Sequence, residues 1–203
     1  MKILSFLLKV FAFSLFTLPA FGQSNQFSSP TLGFKLTKPT SWHFISANAY
    51  LEQMKQVKWD DPSAQEHWNK AVRAPVVVIS QFPSNHNGIN PNFKVDVKPY
   101  GVIPEGLSGK EIISKLIPMM QQRFKNFRIE TTPAEVTIGN QNAGHARVTY
   151  VSTSSTGIDL EITTEIWSIP MKSYVFILGA TYAPNSKASR ATIQKIASSI
   201  MIE

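Results

Sequence analysis

From Ala134 to Ala183 the chain reads AEVTIGNQNAGHARVTYVSTSSTGIDLEITTEIWSIPMKSYVFILGATYA, a series of β-branched and aromatic runs parted by turn residues. Gly139-Asn140, Ser155-Thr156-Gly157 and Ile169-Pro170-Met171-Lys172 supply the turns, so the segment predicts four strands in an antiparallel meander. In the third strand Ile158, Leu160, Ile162 and Ile166 share one face, and Asp159, Glu161, Thr163 and Glu165 the other. The last, Tyr174 to Tyr182, is apolar on both faces and belongs at the centre of a sheet or under two covering layers. A sheet of that kind demands helices to cover it.

The flanking sequence provides them. Ser108-Gly109-Lys110-Glu111 is a capping box in which Ser108 and Glu111 satisfy each other's free amides, and the helix it starts runs to about Asn126. Its apolar stripe is Ile112, Ile113, Leu116, Met119, Met120 and Phe124, with Pro118 as an irregularity. Tyr50, Leu51, Met54 and Val57 recur at helical spacing, and Asp61-Pro62 is an N-cap followed by proline, which together predict helices over 47–58 and 62–72. A final helix over 186–201 carries Ile193, Ile196, Ala197 and Ile200 on one side. Ala74 to Phe82 (APVVVISQF) reads as a strand covered on both faces, and Phe93, Val95 and Val97 alternate with Lys94, Asp96 and Lys98 in a strand with one wet face. Near the front, Phe34 and Leu36 alternate until Pro39, and Trp42 and Phe44 alternate beyond it, which predicts a hairpin. Strands and helices in this order define an α+β fold in which helices pack on an antiparallel sheet.

The first 22 residues, MKILSFLLKVFAFSLFTLPAFG, combine an early Lys, a short apolar core and a small-x-small ending at Ala20 and Gly22. This is the pattern of a secretory signal peptide cut between Gly22 and Gln23, and Lys9 divides the apolar run into pieces too short to span a bilayer. Residues 23–31, rich in Ser, Gln, Asn and Pro, read as a flexible leader, and 32–203 as one domain. The chain has no cysteine, so it carries neither a lipid anchor of the lipoprotein type nor a disulfide, and its core must be self-sufficient. Removal of Lys2 and Lys9 lowers the formal charge from +7 to +5, a mild excess that keeps the protein soluble and is far from a nucleic-acid-binding stripe.

Chemical motifs are sparse. His43, His67, His86 and His145 form no HExxH, HxH or HxxxH pair, so no metal site is expected from spacing. GLSGKE has Lys110 where a nucleophile elbow needs its second Gly, and a phosphate loop would need Gly at Pro104 and Ser or Thr at Glu111; without cysteine there is no thiol chemistry. No catalytic residue and no cofactor is assigned. The cations of RFKNFR (Arg123 to Arg128) fit the last turn of a helix, where they complement its dipole while Phe124 and Phe127 pack inward. Recognition falls to the aromatic-rich insert and the Asn/His loop that follows it, with Tyr50, Trp59, His67, Trp68 and His86 as the candidate partner surface. The rival is a hydrolase or small-ligand enzyme whose site is assembled from dispersed residues such as His86, Asp96, Glu161 and Glu165.

Taken together, GFKLTKPTSWHF, APVVVISQF followed by NPNFKVDV, the helix GKEIISKLIPMMQQRFKNFRI, the meander, and the closing ATYAPNSKASRATIQKIASSIMI resemble the PsbP-like superfamily over about Leu32 to Ile202. The resemblance implies an α/β/α sandwich, a central antiparallel sheet flanked by helices, in a family of binding and accessory proteins rather than enzymes. Metal-binding residues known in plant members find no matching His-acid set in this chain, and none is carried over. The expectation is an exported, periplasmic or secreted monomer without cofactor or nucleic acid that docks a protein or cell-envelope partner. N-terminal sequencing of the protein recovered from the periplasm should begin at Gln23; a start at Met1 would show that the leader is retained.

Overall fold

The computed structural model describes residues 24–55, 74–83, 86, 88–153 and 157–203. Its frame is a seven-stranded antiparallel sheet built from β3 (His43–Ile45), β4 (Val77–Ser80), β5 (Asn92–Pro99), β6 (Lys125–Ile138), β7 (Gln141–Thr153), β8 (Asp159–Pro170) and β9 (Tyr174–Tyr182). The spatial order is β3-β4-β5-β9-β8-β7-β6, which puts the doubly apolar β9 at the centre. The meander forms, although Ser155 and Thr156 of its second predicted turn lie outside the described residues and Ile169 and Pro170 of its third belong to β8, which leaves Met171 to Ser173 as the turn. Gly139 and Asn140 both take positive φ, 53° and 65°, the conformation of a two-residue hairpin turn, and Ile138 pairs with Gln141 across it.

A second, three-stranded sheet combines β1 (Gln26–Ser29), β2 (Phe34–Thr37) and β10 (Met201–Ile202) in the order β1-β2-β10. The main core lies between it and the large sheet, where Phe34, Leu36, Phe93, Trp167, Phe176, Leu178 and Tyr182 meet Ile193 and Ile196 of helix α3 (Lys187–Ser198). On the opposite face helix α2 (Gly109–Arg123) seats Ile113 and Ile117 on Ala146, Val148 and Tyr150 of β7. Helix α1 (Ala47–Lys55) lies against β4. The architecture is the expected α+β one, helices on both faces of a central antiparallel sheet, with the small sheet as an added cover.

Several local expectations change. The hairpin predicted from Phe34 to Phe44 does not form: β2 pairs with β1 and β10, whereas β3 is the edge of the large sheet and pairs with β4. Alternation shows which residues face a core but not which strand lies alongside, and Pro39 to Ser41 carries the chain from one sheet to the other. The reading of 23–31 as a flexible leader is corrected as well, because Gln26–Ser29 adds to the free edge of β2 and Phe27 packs on Phe44 at 6.5 Å. Helix α2 stops at Arg123, and Lys125 to Arg128 enter β6 instead of a last helical turn; Phe124 and Phe127 turn inward as expected and stack on Tyr150. Ile117 is buried in α2, where Leu116 and Met119 were expected, and Met119 is exposed. The final helix ends at Ser198, and Met201 and Ile202 become a strand. The predicted helix over 62–72 lies outside the described residues.

The capping box is present, with the Ser108 amide donating to Glu111 at 2.8 Å and the Glu111 amide to Ser108 Oγ at 3.3 Å. It delivers Gly109 directly onto Gly144 of β7. A Cβ on Gly144 would lie 2.2 Å from the Gly109 carbonyl, and one on Gly109 would lie 2.2 Å from the Gly144 amide nitrogen. Ser168 Oγ of β8 donates to the Gly109 carbonyl at 2.6 Å and completes the junction. Both clashes are backbone against backbone, so no rotamer relieves them. Gly144→Ala should therefore cost about 3 kcal/mol or more in urea unfolding, at the upper end of overpacking effects; an unchanged midpoint would contradict the close approach.

Candidate functional site

At the end of the large sheet where α3 begins, the apolar face gives way to polar side chains. Register decides who meets: His145 lies opposite Trp167, Arg147 opposite Glu165, Thr149 opposite Thr163, and Thr163 opposite Tyr182. Glu165 is only 1% exposed, and both its oxygens are engaged. Oε2 meets His145 Nε2 at 2.9 Å, Oε1 accepts from the Tyr182 hydroxyl at 2.7 Å, and Arg190 Nε of α3 approaches Oε1 at 3.5 Å. The His145 ring is fixed by stacking on Trp167, centroids 5.0 Å apart. Burial by itself pushes the Glu165 carboxyl up; the hydrogen bonds from His145 and Tyr182 and the positive charge nearby outweigh it and hold the carboxyl below its ordinary range. The Tyr182 phenol is pushed well above its ordinary value, by burial first and then by its bond to the Glu165 carboxylate.

Outside this closed network lies an open cleft of about 460 Å³. Arg128 and Glu130 of β6 form one rim, Asn185, Lys187 and Arg190 the other, and Arg147, Thr149, Thr163 and Tyr182 the floor. Arg128 bonds Glu161 at 2.7 Å and lies 3.7 Å from Glu130. Thr149 and Thr163, both almost fully buried, share a hydrogen bond of 2.9 Å.

The predicted partner residues fall elsewhere. Tyr50 of α1 is half-buried with its hydroxyl 3.5 Å from Lys94 Nζ, and His86, in the β4–β5 connection, is exposed and stacks on Phe82 at 4.1 Å. Asn90 pins that connection by accepting from the Phe82 amide and donating to its carbonyl. Trp59, His67 and Trp68 lie outside the described residues. The residues named for a dispersed catalytic site are not brought together: His86 stacks on Phe82, Asp96 sits 3.5 Å from Lys94, Glu161 pairs with Arg128, and Glu165 is held by His145 and Tyr182. Among the described residues no group of three or more His, Asp or Glu side chains is placed to hold a metal ion. Sequence reasoning missed Arg147, Tyr182, Lys187 and Arg190. The available signal was strand parity, since His145, Arg147 and Thr149 share one face as Glu161, Thr163 and Glu165 do.

No protein-family model matches the sequence, and no curated protein matches it. Solved structures are similar in fold. The solution structure of cyanobacterial PsbP (CyanoP) from Synechocystis sp. PCC 6803 aligns with a TM-score of 0.54 over 93% of this chain and 99% of that one, at 10% identity. LpqN of Mycobacterium tuberculosis, described as involved in cell envelope biogenesis, aligns with a TM-score of 0.49 at 12% identity, over 83% of this chain and 82% of its own. A protein from Bacteroides thetaiotaomicron aligns at 0.48 and 12% identity over 89% of this chain, which spans about half (49%) of its length. The likeness to CyanoP shows that the chain has the PsbP-like fold. No helix among the described residues is long and apolar enough to cross a membrane.

Glu165 ties the folded state to pH. Its carboxyl is lowered by folding, so its contribution is fully present above the unfolded value of about 4.3 and is lost as pH falls through the folded one. Tyr182, raised by folding, contributes below its unfolded value of about 10 and loses that contribution as pH rises further. Glu165→Ala, which strands the Tyr182 hydroxyl and leaves a cavity, should cost about 3 kcal/mol at pH 7. Glu165→Gln should cost less and flatten the acid limb of a stability-against-pH curve, and Tyr182→Phe should flatten the alkaline limb. Acid and alkaline limbs identical to wild type in these variants would contradict the network.

Proposed function

We propose that this protein is an exported, non-enzymatic binding or accessory domain that docks a protein or cell-envelope partner. The observation that carries the reading is the state of Glu165. The strongest acid-base cluster in the described chain is spent internally, both carboxylate oxygens occupied and 1% exposed, so it serves as a buried anchor instead of facing a substrate. The leader-like first 22 residues support export, and the PsbP-like fold supports an accessory role. The docking surface is centred on Tyr50 and His86, which border the β3–β4–β5 end of the sheet and flank the insert that carries Trp59, His67 and Trp68.

Photo-crosslinking amino acids placed at Tyr50 and at His86 in cells of the source organism test this. A single adduct of defined mass from both positions, absent when the probe is at Lys172 on the β8–β9 turn, is the expected result. Adducts equally strong from Lys172, or none from either position, would remove the docking surface. Release of product from a panel of ester, phosphoester and glycoside substrates, abolished by Glu165→Gln, would overturn the non-enzymatic reading.

A further inference from the structure

The cleft beside Glu165 concentrates positive charge that the fold does not use. Arg128 is occupied by Glu161 and Glu130, and Arg190 leans on Glu165. Arg147 and Lys187 have no carboxylate within 4.0 Å among the described residues. Arg147 is half-buried on the cleft floor; Glu165 opposite it is taken up by His145, Tyr182 and Arg190, and Glu130 and Glu161 by Arg128, so its guanidinium has no direct carboxylate partner and its field is focused by the concave walls. Lys187 opens α3, and no acidic residue stands in that helix's first turn. Cations at a helix N-terminus oppose the dipole, so this end of α3 is charged against the helix's own preference.

An independent feature points the same way. Thr149 and Thr163 are 2% and 3% exposed, and both line the cleft. Two hydroxyls that bond to each other use one hydrogen between them, which leaves one to donate outward. Tyr182, by contrast, has its hydrogen committed to Glu165. The floor therefore presents a guanidinium fork and a nearly buried hydroxyl donor, with Lys187 and Arg190 above.

From this arrangement we propose that the cleft binds a small anionic ligand through a carboxylate or phosphate group seated between Arg147 and the start of α3, with the Thr149–Thr163 pair donating to it. The inference rests on the reading of the protein as a binding domain and adds a second site, separate from the Tyr50–His86 surface. The volume of about 460 Å³ suits a small molecule. Glu130 and Glu161 on the rim repel an extended polyanion, which argues against nucleic acid and against a lipid surface.

The test is a backbone-amide NMR titration of the mature chain at low ionic strength with succinate, with inorganic phosphate, and with phosphatidylglycerol vesicles. Saturable shifts confined to Arg147, Thr149, Thr163 and Lys187 to Arg190 are expected with succinate or phosphate, and the one that saturates first identifies the group. Arg147→Gln should weaken binding about tenfold or more, the loss of a charged hydrogen bond, and Lys187→Gln about threefold. Arg147→Lys, which keeps the charge and loses the fork, should fall between and covers the case in which Arg147→Gln does not fold. Lys35→Gln on the small sheet, where Lys35 pairs with Glu203, should change nothing. Shifts spread over Lys98 and Lys172, binding unaffected by Arg147→Gln and Arg147→Lys, or a response to vesicles alone would overturn the proposal. Crosslinking from His86 without oxyanion binding would reject this site and leave the docking domain standing; oxyanion binding without crosslinking would do the reverse.

Discussion

The pairing of β5 with β9 is the interaction on which the rest of the molecule depends. Asn92 through Pro99 matches Thr181 back through Tyr174 without a bulge, and this one ladder joins the N-terminal strands β3, β4 and β5 to the meander β6 to β9. Without it each half-sheet would expose a long free edge. Because β9 is central, its side chains run through the main core: Phe176 lies 5.0 Å from Phe34 on the small sheet, and Leu178 packs in the same cluster as Phe93 and Trp167. The chain must bring residues from its middle and its end together before the sheet is whole. Such non-local closure makes folding slow relative to a helical domain of the same size.

The polar end of the sheet follows from that frame. Along β8 one face carries Glu161, Thr163, Glu165, Trp167 and Ile169, and it passes from solvent to core within the length of one strand. Glu165 sits at the crossing, where a carboxylate is tolerated only because His145, Tyr182 and Arg190 converge on it from three other elements. Beyond it the covering layer ends, and Arg147 and the start of α3 are left open. At the outer edge, β6 is long and exposed, yet Pro133, three register shifts and the charges Arg128, Glu130 and Glu135 make it a poor template for another strand.

Much of this was legible in the chain. The meander, the Gly139-Asn140 turn, the capping box at Ser108 and the central place of Tyr174 to Tyr182 all follow from local periodicity and turn chemistry, which act over a few residues. The hairpin expected around Pro39 and the leader expected before it fail for one cause. Phe34 and Leu36 were correctly core-facing, but their strand neighbours come from Gln26–Ser29 and from Met201–Ile202 at the far end of the chain, and no local pattern encodes a partner so distant. Gln26–Ser29 is too polar to order by itself; it is ordered by the hydrogen bonds that the edge of β2 offers.

The sequence by itself determined the class of fold, the positions of most strands and helices, the cysteine-free core and the leader-like N-terminus, because propensity, period and capping are properties of short stretches. Tertiary structure decided which strands pair, that Gly109 rests on Gly144, and that His145, Glu165, Tyr182 and Arg190 share one network beside a cationic cleft. Those relations depend on sheet register and layer packing, which set the distance between residues far apart in the chain. A two-residue period says which way a side chain points, and only the assembled sheet says what stands opposite.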